Sequence, residues 1–438
     1  FTTIICCATL STDLVDDNVV GDYTPCVSDI MLKEQASALL SSTEQIRRAN
    51  LVTALQDDPA ISSSLPDNLL TASLSNPLGW TPQIVPVPSL SDEAVAEQSA
   101  ALECCVAAID SFLSTACRGV RFPCLVGKAG SGKSHVLKLA CSYALSKGLN
   151  VELMSLTSER ARKLGGNHLH LVFPFGVGNA GVTFSHNLAA TCLANLEKQP
   201  MKASLVRRTD VFIFEELGLL SAEYFSALDS VLRLLMGNSS PMGGKLFLTC
   251  GDSKQLPPID GRPVWASLNM CTMMDVFVFS CDVRASEDAD LQRLNSDCRR
   301  ALSPQECTAV ADVILSKCRF EKDWDSVPDV AVRIVPTKAA EASVMEEFLR
   351  NRITKSYKAL DEVQNGTMWE RASERVSAKL NSRCYEYDVC KLYEKAVVRM
   401  TYNRRQDGVT VFSQGQVAVV VGLPDDAVDF HAQRLTLR

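Results

Sequence analysis

The sequence predicts an α/β protein, a parallel sheet with helices on both faces, preceded by a mainly helical N-terminal segment. Three observations carry this. The apolar run FPCLVG leads straight into GKAGSGKS at 127–134, and an amphipathic run, HVLKLACSYALSKG, follows it to Gly148. Short apolar runs recur in NVELMSL, DVFIFEEL and KLFLTCGD, and the helical stretch SAEYFSALDSVLRLLMG, ending at Gly237, separates the last two. Alternation of this kind argues for a parallel sheet. Upstream, KEQASALLSSTEQIRRANLVTALQ spaces apolar residues as a helix does and carries no chemical motif.

The elements divide in order. Residues 1–80 form the helical, partly disordered N-terminal segment. Pro82, Pro86 and Pro88 break helices and favour extended chain, so 81–90 reads as a linker. Ser91 then caps a helix with Asp92 and Glu93 in its first turn, running to about Thr115. A first α/β domain is expected over 91–283 and a second over 284–438.

Composition excludes several classes. The 438 residues allow two or three domains, and a 46% hydrophobic content excludes wholesale disorder. No apolar run reaches the roughly 18 residues of a membrane span. The net charge is −7, so any contact with nucleic acid must rest on local charge. The 17 cysteines are odd in number and scattered through apolar stretches, as reduced buried thiols are; Cys104, Cys105, Cys124 and Cys250 have core-like neighbours. No CxxC pair or zinc-type Cys/His spacing occurs. The first residue is Phe1 rather than Met, no basic segment precedes TTIICCATL, and a fragment or processed chain without a signal peptide is expected.

The chemistry begins at GKAGSGKS. Gly127, Gly130 and Gly132, with Ala129 and Ser131 between them, let backbone N–H groups approach a phosphate. Lys133 would neutralise β/γ-phosphate charge, Ser134 would ligate Mg²⁺, and the next helix would offer its N-terminus to the anion. A plain glycine-rich turn is the alternative; the position between strand and helix favours the nucleotide. In DVFIFEEL the acids Glu215 and Glu216 fall at a strand's C-terminal end, where ligands bind in open parallel sheets. Glu215 would hold the metal and Glu216 would orient or deprotonate a water. Alone the pair would be a solvated strand end. In LTCGDSKQLPPI, Gln255 follows a strand end and could contact a γ-phosphate or the attacking water.

These pieces, with FIFEELGLLSAEYFSALDSVLRLLMGNSSPMGGKLFLTCGDSKQLPPI as the most specific stretch, resemble the PIF (petite integration frequency) family of 5′-to-3′ DNA helicases in superfamily one. The resemblance runs from about Gln98 to the C-terminus. AEQSAALECCVAAI is similar to the family's adenine-reading segment, with Gln98 as its glutamine. SLTSERARKLGGNHLHLVF is similar to its DNA-contacting motif, with Thr157, Gly165-Gly166 and His170 in place. VRASEDADLQRLNSDCRRALS resembles the segment whose arginine, here Arg284, reaches the γ-phosphate. Thr337 and Lys338 stand where the family usually has Thr-Asn, and Gln414-Gly415 stands where an Asn-Gly precedes a valine-rich strand. The resemblance implies RecA-like P-loop NTPase domains, ATP with Mg²⁺, and hydrolysis coupled to movement on single-stranded DNA and duplex unwinding. It further implies service in DNA replication, repair, recombination or telomere maintenance, in the nucleus or alternatively the mitochondrion.

There are departures. The acid pair is Glu-Glu where the family usually has Asp-Glu, and Glu159 and Arg160 stand where small residues are usual. The family's last motifs do not appear before Arg438, so a C-terminally truncated helicase with a partial second domain is expected. DNA contacts are expected from Thr157, Arg160, Arg162, Lys163 and His170, near His168, with Phe173 or Phe175 as stacking surfaces. Arg404 and Arg405 beside Tyr402 read as a plain turn before they read as a DNA contact. Two other functions stay open: a nucleotide-dependent DNA-binding module with little hydrolysis, and a viral-type superfamily-one RNA helicase.

Overall fold

The computed structural model describes residues 2–4, 27–86, 90–114, 121–176, 184–283, 288–317, 337–350, 354–358, 362–365, 368–371, 373–374, 389–400, 404–406, 409–412, 416–422 and 436–437. The chain forms two compact units, Thr24–Cys318 and a second made of Phe1–Tyr23 with Arg319–Arg438.

Strand β1 (Thr2–Ile4) belongs to the second unit. In the first unit, α1 (Val27–Gln56) and α2 (Asp92–Ser114) precede β2 (Phe122–Gly127), α3 (Lys133–Ser146), β3 (Val151–Ser155), α4 (Ser158–Lys163), β4 (Asn167–His168) and α5 (Leu169–Val172). Then come α6 (Ser185–Glu197), α7 (Pro200–Arg208), β5 (Val211–Glu215), α8 (Ala222–Met236), β6 (Leu246–Gly251), α9 (Leu268–Met273), β7 (Met274–Phe279), α10 (Ala289–Asp297) and α11 (Pro304–Lys317). The six strands form one sheet in the order β4-β3-β5-β6-β2-β7, parallel throughout.

The sequence explains the layers. Strands β5 and β6 are buried along their whole length, because helices cover both faces of the sheet; hence their unbroken apolar runs. Phe212, Phe214 and Phe247 are fully buried, and each stabilises the unit by roughly 1.5–3 kcal/mol. Ser91 caps α2 by accepting from the Ala94 N–H, and Ser221 caps α8 by accepting from the Tyr224 N–H. Helix α8 ends at Gly237, which has φ +59°. Among the described residues no cysteine is in a disulfide; Cys105, Cys124 and Cys250 are buried, while Cys104 is only half-buried. Burial pushes the Cys124 thiol up to about 12.

The N-terminal segment is part of this core. Leu51, Val52, Leu55, Ile61, Leu69 and Ile84 join the cluster formed by the sheet and α3. The stretch expected as a linker therefore packs where it is described: Ile84 points inward, and just upstream Trp80 donates Nε1 to Ser64 O. Prolines keep this stretch extended, and an extended chain can still bury alternate side chains. Arg48 fixes α1 to its neighbours, donating Nε and Nη2 to Leu69 O, Nη1 to Leu149 O and Nη2 to Leu145 O at the end of α3. Gly165, at φ +71°, lies so close to α1 that a Cβ there would stand 2.4 Å from Asn50 O.

In the second unit, β12 (Val397–Met400) pairs in parallel with β1 and antiparallel with β15 (Val417–Gly422), which pairs with β16 (Thr436–Leu437). Antiparallel pairs join β8 (Lys355–Lys358) with β11 (Val389–Leu392), β9 (Glu362–Asn365) with β10 (Met368–Arg371), and β13 (Arg404–Gln406) with β14 (Val409–Phe412). Helix α12 (Lys338–Leu349) is capped by the Thr337 hydroxyl, which accepts from the Ala340 N–H. The second parallel sheet expected here does not appear among the described residues. The connections in β9–β10 and β13–β14 are too short for a parallel crossover. Arg404 and Arg405 lie on a strand rather than in a turn; Tyr402, Gln414 and Gly415 lie outside the described residues.

The Arg48 anchor gives a test. Arg48→Ala removes its bonds to the Leu69, Leu145 and Leu149 carbonyls and should destabilise the first unit by about 2 kcal/mol. Arg208→Ala removes a pair with Glu44 nearer the surface and should cost less than about 1 kcal/mol. Urea unfolding of the two variants checks this; equal midpoints would mean that α1 is not held through Arg48.

Candidate functional site

The Gly-rich loop follows β2 and opens α3. Gly132 takes φ +94°, and a Cβ there would meet Gln98 Nε2 at 2.3 Å, so only glycine fits. Gln98 is 2% exposed and donates Nε2 to Ser131 O at 3.4 Å, which sets it directly under the loop. Gly130 also has positive φ, and Ala129 is exposed at the tip. No side chain caps the first turn of α3, whose N–H groups face the loop. Lys133, 9% exposed, donates Nζ to Gly127 O at 2.8 Å, Lys128 O at 2.6 Å and Ser131 Oγ at 3.4 Å. Burial holds its ammonium below the usual lysine range, and nearby Arg299 adds to this against the pull of Cys250, Asp252 and Glu216.

The acids stand at the end of β5. Glu215 is 2% exposed, and Arg160 from α4 meets it with both arms: Nε to Oε2 and Nη2 to Oε1, each at 2.6 Å. The same Nη2 donates to Ser134 Oγ at 2.9 Å. Glu216 turns into the left-handed region, φ 62° and ψ 44°, at a cost of roughly 1–3 kcal/mol for a residue with a Cβ. Burial, reinforced by the Glu215 charge, lifts its carboxyl above the usual range, although Arg160 and Lys133 oppose the shift.

A third buried acid, Asp252, follows β6. It is 3% exposed and receives both arms of Arg299, Nη1 to Oδ2 at 2.8 Å and Nη2 to Oδ1 at 2.6 Å. Burial alone would raise its carboxyl, but Arg299 and the Lys254 N–H hold it below the usual range. Residues 280–283 lie against the loop. Glu97 accepts from the Ser280 N–H and hydroxyl and from the Cys281 N–H, Lys128 pairs with Asp282 at 3.4 Å, and the Val283 N–H donates to Gly130 O at 3.0 Å. Arg284 lies outside the described residues. Gln255 is exposed on the loop beyond β6, with its N–H on Asp252 O.

The structure thus brings together Gln98, Lys133, Ser134, Glu215 and Glu216, and adds Arg160 and Arg299. Sequence reasoning missed Arg299; in DCRR nothing local marks which arginine turns inward. Thr157, Arg162 and Lys163 are exposed on and beside α4, with Lys163 paired to Glu159 at 2.9 Å. His170 is half-buried between His168, Phe175 and Tyr224. Burial lowers the pKa of both histidines, so neither adds positive charge at neutral pH. Phe173 and Phe175 are not the stacking surfaces expected: both are buried, and Phe173 packs on Phe212 under the sheet.

The donors suit a divalent cation. Ser134 Oγ and the Glu215 carboxylate, a hydroxyl and a buried anion, converge on a single point, the Nη2 of Arg160. Among the described residues no cluster of three or more His, Cys, Asp or Glu forms a separate metal centre. None of their helices is long and apolar enough to cross a membrane.

Residues 97–302 match the PIF1-like helicase family. The ATP-dependent DNA helicase Pif1 of Psychrobacter is 28% identical over 138 residues, which is 32% of this chain but only 20% of that protein. The chain therefore matches about a fifth of that relative's length. Among solved structures, the Pif1 helicase from Candida albicans is similar with a TM-score of 0.58 at 18% identity, over 80% of this chain and 76% of that one. The Pif1 helicase from Bacteroides in complex with ADP-AlF3 and ssDNA is similar with a TM-score of 0.51 at 18% identity, over 75% of this chain and 71% of that one. These last two are likenesses of fold. The parallel sheet, the loop and the acids at its strand ends all lie within residues 97–302, the stretch that matches the PIF1-like helicase family.

Proposed function

We propose that the chain is an ATP-dependent DNA helicase, hydrolysing ATP to move along single-stranded DNA and open duplexes. One observation carries the proposal. Lys133, Ser134, Glu215 and Glu216 converge at the C-terminal ends of β2 and β5, parallel strands separated only by β6. Phosphoryl transfer needs little covalent help from a protein, and positioning and charge stabilisation do most of the work. Each residue then has a part. Lys133 leaves its carbonyl partners to meet the β- and γ-phosphates. Ser134 and Glu215 would hold Mg²⁺, which when bound neutralises phosphate charge. Glu216 takes the proton of the attacking water; its raised carboxyl suits a general base better than an ordinary glutamate. Gln98 faces the adenine side of the loop, and Gln255 and Arg284 answer to the γ-phosphate. The exposed Thr157, Arg162 and Lys163, with His170 behind them, are the proposed DNA face. The relatives' names, ATP-dependent DNA helicases, support DNA as the partner.

A second reading, a nucleotide-dependent DNA-binding module with little hydrolysis, is favoured by Arg160, which sits where the metal would. A DNA-stimulated ATPase assay separates the two. The helicase reading expects ATP turnover to rise at least about tenfold with single-stranded DNA, and to rise less with RNA of the same length. Unstimulated turnover beside tight DNA binding would favour the second reading, and stronger stimulation by RNA would contradict both.

Two substitutions test the roles. Lys133→Ala should lower turnover by at least about a hundredfold; unchanged turnover in a folded variant would exclude the loop as the phosphate site. Glu216→Gln should keep ATP binding and abolish hydrolysis, whereas Glu215→Gln should chiefly raise the Mg²⁺ requirement. Normal hydrolysis by Glu216→Gln would move the base elsewhere.

A further inference from the structure

Arg160 of α4 and Glu215 at the end of β5 touch each other. Arg160 grips the Glu215 carboxylate with Nε and Nη2, and that same Nη2 reaches Ser134 Oγ. A single cationic group therefore satisfies both oxygen donors of the expected metal subsite. A carboxylate as buried as Glu215 is costly unless a cation lies against it, so the contact is held by desolvation as well as geometry. The arginine itself is 39% exposed, against 2% for Glu215, which leaves a route outward along α4.

We infer that Arg160 is a tethered cation that competes with a divalent metal for Glu215 and Ser134, so that metal-bound nucleotide loads only as Arg160 withdraws. The inference rests on the nucleotide-site reading above. Mg²⁺ requires oxygens at about 2.0–2.1 Å, and the volume it would take between these two donors is held by Nη2. Two positive charges within about 4 Å also repel in a site shielded from water. The withdrawn guanidinium stays on α4, the six-residue helix that carries the exposed Arg162 and Lys163. Loading the site thus adds a third cation to that face and couples the metal to whatever anion α4 meets.

The test is equilibrium binding of a fluorescent ADP analogue to the full chain, in EDTA and in millimolar Mg²⁺, for wild type, Arg160→Ala and Arg160→Lys. A parallel Mn²⁺ titration followed by electron paramagnetic resonance reads the metal directly. In wild type, Mg²⁺ should tighten ADP binding only slightly. In Arg160→Ala the tightening should be at least about tenfold greater, with half-saturation at correspondingly lower Mn²⁺. Arg160→Lys keeps a cation but lacks the planar fork that grips both carboxylate oxygens, so it should fall between them; it also serves if the alanine variant, with Glu215 buried unpaired, does not fold. Equal Mg²⁺ dependence in wild type and the folded variants overturns the inference and leaves the nucleotide site standing. Failure of wild type and folded variants alike to bind ADP under either condition overturns the nucleotide site, and the inference with it.

Discussion

Buried carboxylates at the ends of two neighbouring strands organise the first unit. Glu215 closes β5 and Asp252 follows β6, and neither reaches water to any useful degree. A carboxylate in such a place without a partner costs several kcal/mol. Each is met by an arginine from outside the sheet: Arg160 from α4 and Arg299 from just beyond α10. The positions of these flanking segments follow from that demand. Bidentate guanidinium–carboxylate geometry fixes distance and orientation together, so α4 and the turn after α10 are held in register with the strand ends.

Lys133 and Glu216 occupy the same confined space and respond in opposite directions. Burial lowers the lysine and raises the glutamate, so both charged forms are destabilised before a ligand arrives. A polyphosphate would relieve the lysine, and a water molecule placed against Glu216 would meet a better base. The left-handed backbone at Glu216 is consistent with this, because strain at one residue persists only where its surroundings hold it there. A chain with net charge −7 thus concentrates three cations, Lys133, Arg160 and Arg299, around one loop.

Much of this was legible in the residues. Strands β2, β3, β5 and β6 announce themselves as apolar runs, Ser91 and Ser221 as caps, and GKAGSGKS as the loop. Strand β7 was harder to read. It is an edge strand with Val276 and Val278 exposed, so its pattern does not separate cleanly from its surroundings. The docking of 51–86 was hidden for another reason: whether Ile84 is exposed or buried depends on a surface made by residues far along the chain. The site divides similarly. Lys133, Ser134 and the two glutamates are carried by local pattern, whereas the partners of Glu215 and Asp252 come from 55 and 47 residues away. Arg160 was visible as a departure, but its partner was not, and Phe173 and Phe175 looked available because sequence does not show which face a short segment turns inward.

The central claim is that nucleotide binds at the β2–α3 loop and is sensed at α4. Hydrogen–deuterium exchange of the full chain, with and without a non-hydrolysable ATP analogue and Mg²⁺, tests it most directly. The account predicts slower exchange across 127–136 as loop N–H groups bind phosphate, together with altered exchange across 158–163 as Arg160 lets go of Glu215. Unchanged exchange across 127–136 at saturating analogue would contradict it.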